Sequence, residues 1–133
     1  MKAQIVLLWF CRIIAAAILL QTLYFKFSAA EESVYIFTRV GIEPWGRIAT
    51  GVAELIAAIL ILFPRTSISG ALMAAGIMAG AIFTHLFILG IEVMDDNGQL
   101  FIYACIVLIA SLYILYASRE QIFSLFSKRR NIK

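Results

Sequence analysis

The chain has 133 residues, of which 63% are hydrophobic and 14% charged, with a mean hydropathy of +0.97. Soluble domains are about half apolar and about a quarter charged, so this composition predicts a polytopic membrane protein, and the length allows one domain over residues 1–133. The net charge of +3 comes without a basic patch interleaved with aromatics, which sets nucleic-acid binding aside; Cys11 and Cys105 stand alone in apolar runs, without C-x-x-C or metal-ligand spacing.

Four apolar segments follow one another at about residues 4–25, 48–63, 69–89 and 100–116. A membrane span takes about 20 residues, and lipid leaves an unclosed chain only the helix with which to satisfy its backbone. The expected fold is an all-α polytopic membrane four-helix bundle. Lys2, the first apolar run and Ser28-Ala29-Ala30 mimic a secretory leader. That run is long for a leader and carries Arg12, so it is expected to remain as the first span.

The stretch between the first two spans has its own organisation. Ser28-Ala29-Ala30-Glu31 fits a capping box with Ser28 as N-cap; Ala30, Val34, Phe37 and Gly41 share one helical face, and Gly41 suits the C-cap. This predicts a short amphipathic interfacial helix at about residues 29–40, with Glu43-Pro44-Trp45-Gly46 leading back into the bilayer. In the third span, the rows Ala71-Ala75-Ala79 and Gly76-Gly80-Thr84 have the small-xxx-small spacing that brings helix backbones close. That helix is therefore expected at the centre of the bundle, and as the route to an oligomer. Asp95-Asp96-Asn97-Gly98 marks a turn. In residues 118–133, Ile122, Phe123, Leu125 and Phe126 precede Lys128-Arg129-Arg130, a tail suited to an anionic lipid surface.

Lysine and arginine set the expected orientation. Lys2, Arg65, Arg119, Lys128, Arg129, Arg130 and Lys133 fall on one side of a four-span layout, while Lys26, Arg39 and Arg47 fall on the other beside Glu31, Glu32 and Glu43. Both termini are thus expected in the cytoplasm, with the chain in a bacterial plasma membrane.

Ionisable groups inside the spans are the candidate site. A carboxylate at the bilayer centre costs about 2.5–3.5 kcal/mol on insertion scales, so Glu54 has to be neutral, paired or turned toward a polar interior. At about 1.5 Å per residue it lies about 10 Å below the outer end of its helix, in the same half as His85, Gln21 and Lys26. Arg47, seven residues before Glu54, shares its face and extends a polar track to the outer surface. Glu54, His85, Lys26, Gln21 and Arg47 are therefore the expected ligand-binding or proton-relay group. The structural alternative makes Glu54 one half of an ion pair, with Lys26 or His85. Arg12 lies in the inner half, with Ser111, Tyr113 or Tyr116 of the fourth span as expected partners, or a lipid phosphate. No nucleophile–base pair, metal cluster or phosphate loop marks an enzyme acting alone, and no inverted repeat with broken helices marks a transporter.

Several of these residues carry a resemblance. Arg12, Phe25-Lys26-Phe27, Gly41-Ile42-Glu43-Pro44-Trp45, Gly51-Val52-Ala53-Glu54-Leu55, Pro64-Arg65-Thr66, His85, Leu89-Gly90-Ile91 and the run Asp96-x-Gly98-x-Leu100-Phe101 resemble the DoxX family of small four-helix membrane proteins, from about Arg12 to Tyr116. The family name comes from a membrane subunit associated with thiosulfate:quinone oxidoreductase. The resemblance implies an accessory membrane subunit that contacts quinone while a redox partner does the chemistry. Relatives that act as assembly factors or receptors imply the alternative of a non-catalytic binding module. The chain departs from the wider group in having no haem-ligand histidine pair and no redox cysteine pair.

Overall fold

The computed structural model describes residues 2–130. Lys133, counted above with the cationic tail, lies outside them. Four helices are long and apolar enough to cross a membrane: α1 (Lys2–Phe27), α3 (Trp45–Leu62), α4 (Ser67–Thr84, continued by a π-helical turn His85–Leu89) and α5 (Gln99–Ala117). Two shorter helices complete the chain, α2 (Glu31–Val40) and α6 (Arg119–Arg130). Each span matches an expected segment, with ends that differ by up to three residues: most run on into the polar flanks, while α3 stops at Leu62, one residue before the expected end.

The spans pack as a ring. α1 lies against α3 and α5, and α4 lies against α3 and α5, so chain neighbours are spatial neighbours and α5 closes on α1. The short connections at residues 63–66 and 90–98 favour this up-and-down order, and α2 occupies the longer one between α1 and α3. The core is built from small and branched side chains, with Ala15, Leu19, Ala57, Ala58, Ile61, Ala71, Ala74, Val107 and Ile114 at 2% exposure or less. At the α3–α4 crossing, a Cβ on Gly70 would fall 2.7 Å from the Ile61 nitrogen and 2.9 Å from the Ala57 oxygen, so only glycine lets the two backbones approach this closely.

α4 is not the central helix. Only 17% of its most apolar window is buried, against 39% for α3. Ala71 is in the core, but the rows do not stay there: Gly76, Ala79 and Gly80 are exposed. Within the chain, the small residues beyond Gly70 leave space beside them, since a Cβ at Gly76 or Gly80 would meet nothing within 4 Å.

α2 forms where the amphipathic pattern places it, but its cap differs. Ser28 does not cap it: α2 begins at Glu31 behind Ala30, which makes no side-chain cap. Ser28–Ala30 instead close α1, with Ala29 left-handed at φ 55° and the Ala30 and Ala29 amides bonded to the Phe25 and Lys26 carbonyls. The end of the long helix takes this tripeptide before the short helix can use it. At the far end Gly41 adopts φ 89°, and its amide bonds the Phe37 and Thr38 carbonyls, the expected C-cap. The inward face of α2 is Ser33, Ile36, Phe37 and Val40, rotated by one residue from the predicted Val34–Phe37–Gly41 stripe.

Candidate functional site

α2 roofs one end of the ring, packing on α1, α3 and the π-helical turn. Beneath it is a cavity of about 630 Å³, lined by residues of α1 to α5 and floored by Leu19, Met78 and Ala104. Its walls are mostly apolar, with Ile18, Phe25, Ile77, Ala81, Leu89 and Leu100 among them; Thr22, Lys26, Thr50, Glu54, Thr84, His85, Gln99 and Tyr103 add polar groups.

Glu54 lies in the wall of this cavity, 3% exposed. Its Oε2 receives a hydrogen bond from Lys26 Nζ at 2.9 Å and lies 3.3 Å from the Thr22 hydroxyl, whose single proton is shared with the Leu19 carbonyl at 2.8 Å. The ion pair joins the end of α1 to the middle of α3, with the Lys26 side chain still 15% exposed at the cavity edge. Lys26 is positioned by Arg47, which donates from Nη1 to the Lys26 carbonyl and from Nε to the Glu43 carboxylate at 2.9 and 3.1 Å. Arg47 is therefore a brace behind the site. It holds the peptide that carries Lys26 and does not itself line the cavity.

Two other sequence candidates take different places. Gln21 is exposed and borders the cavity, while the hydroxyl of its neighbour Thr22 comes within 3.3 Å of Glu54. One residue is about 100° of helix rotation, enough to exchange which of the two faces α3. His85 is 5% exposed, lines the same cavity and does not pair with Glu54. Its Nδ1 lies 3.0 Å from the Gly90 carbonyl and its ring meets Phe101 edge-on at 5.7 Å. A carbonyl only accepts, so Nδ1 carries a proton, and in the neutral ring Nε2 is an acceptor. The π-helical turn fixes this arrangement, with the Gly90 amide bonded to the His85 carbonyl at 2.7 Å. Single-turn π-helices of this kind recur at functional sites.

The α4–α5 connection supports the same wall. The Asp96 carboxylate accepts from the Val93 and Gly98 amides at 3.0 and 2.8 Å, and from the Leu100 amide at 3.2 Å, tying the loop to the start of α5. Burial alone would raise its pKa, but these three amides and the nearby His85 hold the carboxyl below its ordinary value of 3.8. The sequence marked this run as a turn; Asp96 as its anchor emerges only from the fold.

At the opposite end of the ring, Arg12 is 6% exposed and donates to the Ser67 hydroxyl at 3.3 Å, with its guanidinium 4.8 Å from the Trp9 ring centre. The expected partners on the fourth span are not used. Tyr113 makes no bond to it, Tyr116 stacks with Arg119, and Ser111 is buried with its hydroxyl unpartnered, as is Arg12 Nε. Ser67 is the nearer group because α4 starts at Ser67, two residues earlier than expected. The inner polar group is thus separate from the cavity. Among the described residues, no three His, Cys, Asp or Glu side chains come together to hold a metal ion.

No curated protein and no solved structure matches this chain significantly. The family comparison is positive: residues 10–112 match the sequence model of the DoxX-like family. That stretch takes in α3 and α4 whole and most of α1 and α5, with the α2 roof, the Lys26–Glu54 pair and the π-helical turn. The chain is an integral membrane protein that belongs to the DoxX-like family.

Proposed function

We propose that this protein is a quinone-linked accessory membrane subunit, whose cavity receives the quinone head group while a partner subunit supplies the electrons. The observation that supports this reading most is the Lys26–Glu54 ion pair set in the wall of a largely apolar cavity. A cavity of about 630 Å³ falls within the range of about 300–1,000 Å³ typical of small-molecule sites. Buried ion pairs are weak evidence for stability alone, since well-packed apolar residues often serve as well. An ion pair at the rim of an open apolar space is better suited to a ligand that has both a flat apolar body and polar oxygens.

The residues fit both oxidation states of such a head group. Lys26 donates one N–H to Glu54 and has others to offer an oxidised carbonyl. Glu54 uses Oε2 for its protein bonds, leaving Oε1 to accept from a hydroxyl, and His85 Nε2 is a second acceptor. Glu54, in this reading, takes or returns a proton at the ligand oxygen. In this reading the termini face the cytoplasm of a bacterial inner membrane, as the clustering of Lys2, Arg65, Arg119 and Lys128–Arg130 at their end of the ring favours.

The test compares two variants in the intact complex. Glu54→Gln should abolish quinone-dependent turnover, but it leaves Lys26 without its partner. The double variant K26M/E54L removes both charges while conserving bulk. It should keep the thermal midpoint near wild type and still lack turnover. Wild-type turnover in the double variant would show the pair to be a helix clamp and nothing more.

A further inference from the structure

We infer that the cavity is reached sideways from the lipid, through a gap between α3 and α4 bordered by Ala49, Ala53, Gly76 and Gly80, and that this gap holds the apolar chain of an amphiphilic ligand whose head lies at Lys26–Glu54. The inference rests on the proposed quinone reading and adds the route and the place of the tail.

The gap follows from how α3 and α4 diverge. At one end they are locked together, with Gly70 against the backbone of Ile61 and Ala57. Going up α3 from that lock, Ala57, Ala53 and Ala49 form an i, i+4 row. Their burial falls in step: Ala57 is fully buried, Ala53 is half-buried and Ala49 is exposed. At about 100° per residue, Ile77, Gly80 and Gly76 lie progressively outward on α4 from the side that holds Gly70. They too go from half-buried to exposed.

Ala49, Ala53, Ile77, Gly76 and Gly80 all line the same cavity as Glu54 and His85. The cavity therefore runs without interruption from the ion pair to the lipid-facing flank of α4. Side chains larger than alanine at Ala49, Ala53, Gly76 and Gly80 would close that flank, while the one larger residue beside them, Ile77, is half-buried and set back toward the side that holds Gly70. Above, α2 covers the aqueous end with Ile36, Phe37 and Val40 turned down into the cavity. A ligand with a long apolar chain has its natural path through the side, where the chain never leaves hydrocarbon. The polar head then meets the Lys26–Glu54 pair in the wall, with Glu32 of α2 at the roof of the same cavity.

The occupant is thus an amphiphile with one hydrogen-bonding head and one long chain, and Gly76 and Gly80 are its specificity-determining positions. A Cβ at either meets nothing within 4 Å, so larger residues there fill the gap without forcing the backbone to move. The experiment measures binding of two probes to protein in lipid nanodiscs: a benzoquinone with a long isoprenoid chain, and the same head group without the chain. In G76L/G80L the long-chain probe should bind about tenfold more weakly, the loss expected from about two methylenes left unburied, while the chainless probe binds as to wild type. An unchanged thermal midpoint confirms that the fold is intact. Equal binding of the long-chain probe by variant and wild type overturns the lateral route. An equal loss for both probes also overturns it, because the substitutions would then act on the head site. If wild type binds neither probe, the quinone reading itself fails, a pattern distinct from either.

Discussion

Glu54 and Lys26 show how a single buried charge is made tolerable in a bilayer. Glu54 gains Lys26 as its donor, with the Thr22 hydroxyl alongside at 3.3 Å, and Lys26 keeps one side toward the cavity. Removing one partner strands the other. Glu54→Ala should cost about 2–4 kcal/mol of stability, below the 3–5 of a fully enclosed pair because Lys26 retains 15% exposure, while K26M/E54L recovers most of that loss in the same thermal melt. A second residue-scale prediction concerns Asp96. Its folded pKa is depressed, so its contribution is fully present above about pH 4, the ordinary carboxylate range, and is lost as the pH falls through the lower folded value. The thermal midpoint should drop on acidification in that window. Asp96→Asn should flatten the drop and cost about 1 kcal/mol at neutral pH, as with other lost helix-terminus acceptors.

At the scale of elements, the α3–α4 pair carries the design. Gly70 sets how close the two helices come at one end, and the small residues above it set how far they part at the other. Gly70→Val should therefore force the seam open and cost about 1–3 kcal/mol by overpacking against backbone atoms that cannot move aside. Gly80→Ala should be neutral or stabilising by up to about 1 kcal/mol, since the added methyl meets open space and alanine favours the helix. Comparison of the two midpoints by calorimetry checks the contrast. The same small-residue spacing predicts close helix packing when read along the chain, and Ala71 obeys it, beside the Gly70 contact that the two rows do not include. Gly76 and Gly80 do not, because spacing reports only where a partner could approach. The ring places α3 near the lower turns of α4 and the cavity beside the upper ones.

Across the whole molecule, what was legible in the sequence was whatever hydropathy and charge alone decide: four spans, the amphipathic helix between the first two, and the depth of Glu54. Lys26 was among its possible partners, but choosing it over His85 required knowing that the π-helical turn commits Nδ1 to the Gly90 carbonyl. Thr22 was missed in favour of Gln21 because helix rotation about the bundle axis is a tertiary quantity. Arg12 and Glu54 stand at opposite ends of the ring, and the Arg12 partner Ser67 depends on where α4 starts and on the ring order. Ala29 gave no cue at all, since alanine has no preference for the left-handed turn it adopts.

The central claim, that the cavity beneath α2 is a ligand site organised by Lys26 and Glu54, is tested most directly by equilibrium binding of a long-chain quinone to the purified protein in nanodiscs. Wild type should bind saturably with one site per chain, and K26M/E54L, folded and equally stable, should lose that saturable component. Saturable binding of equal affinity by the double variant would contradict the account.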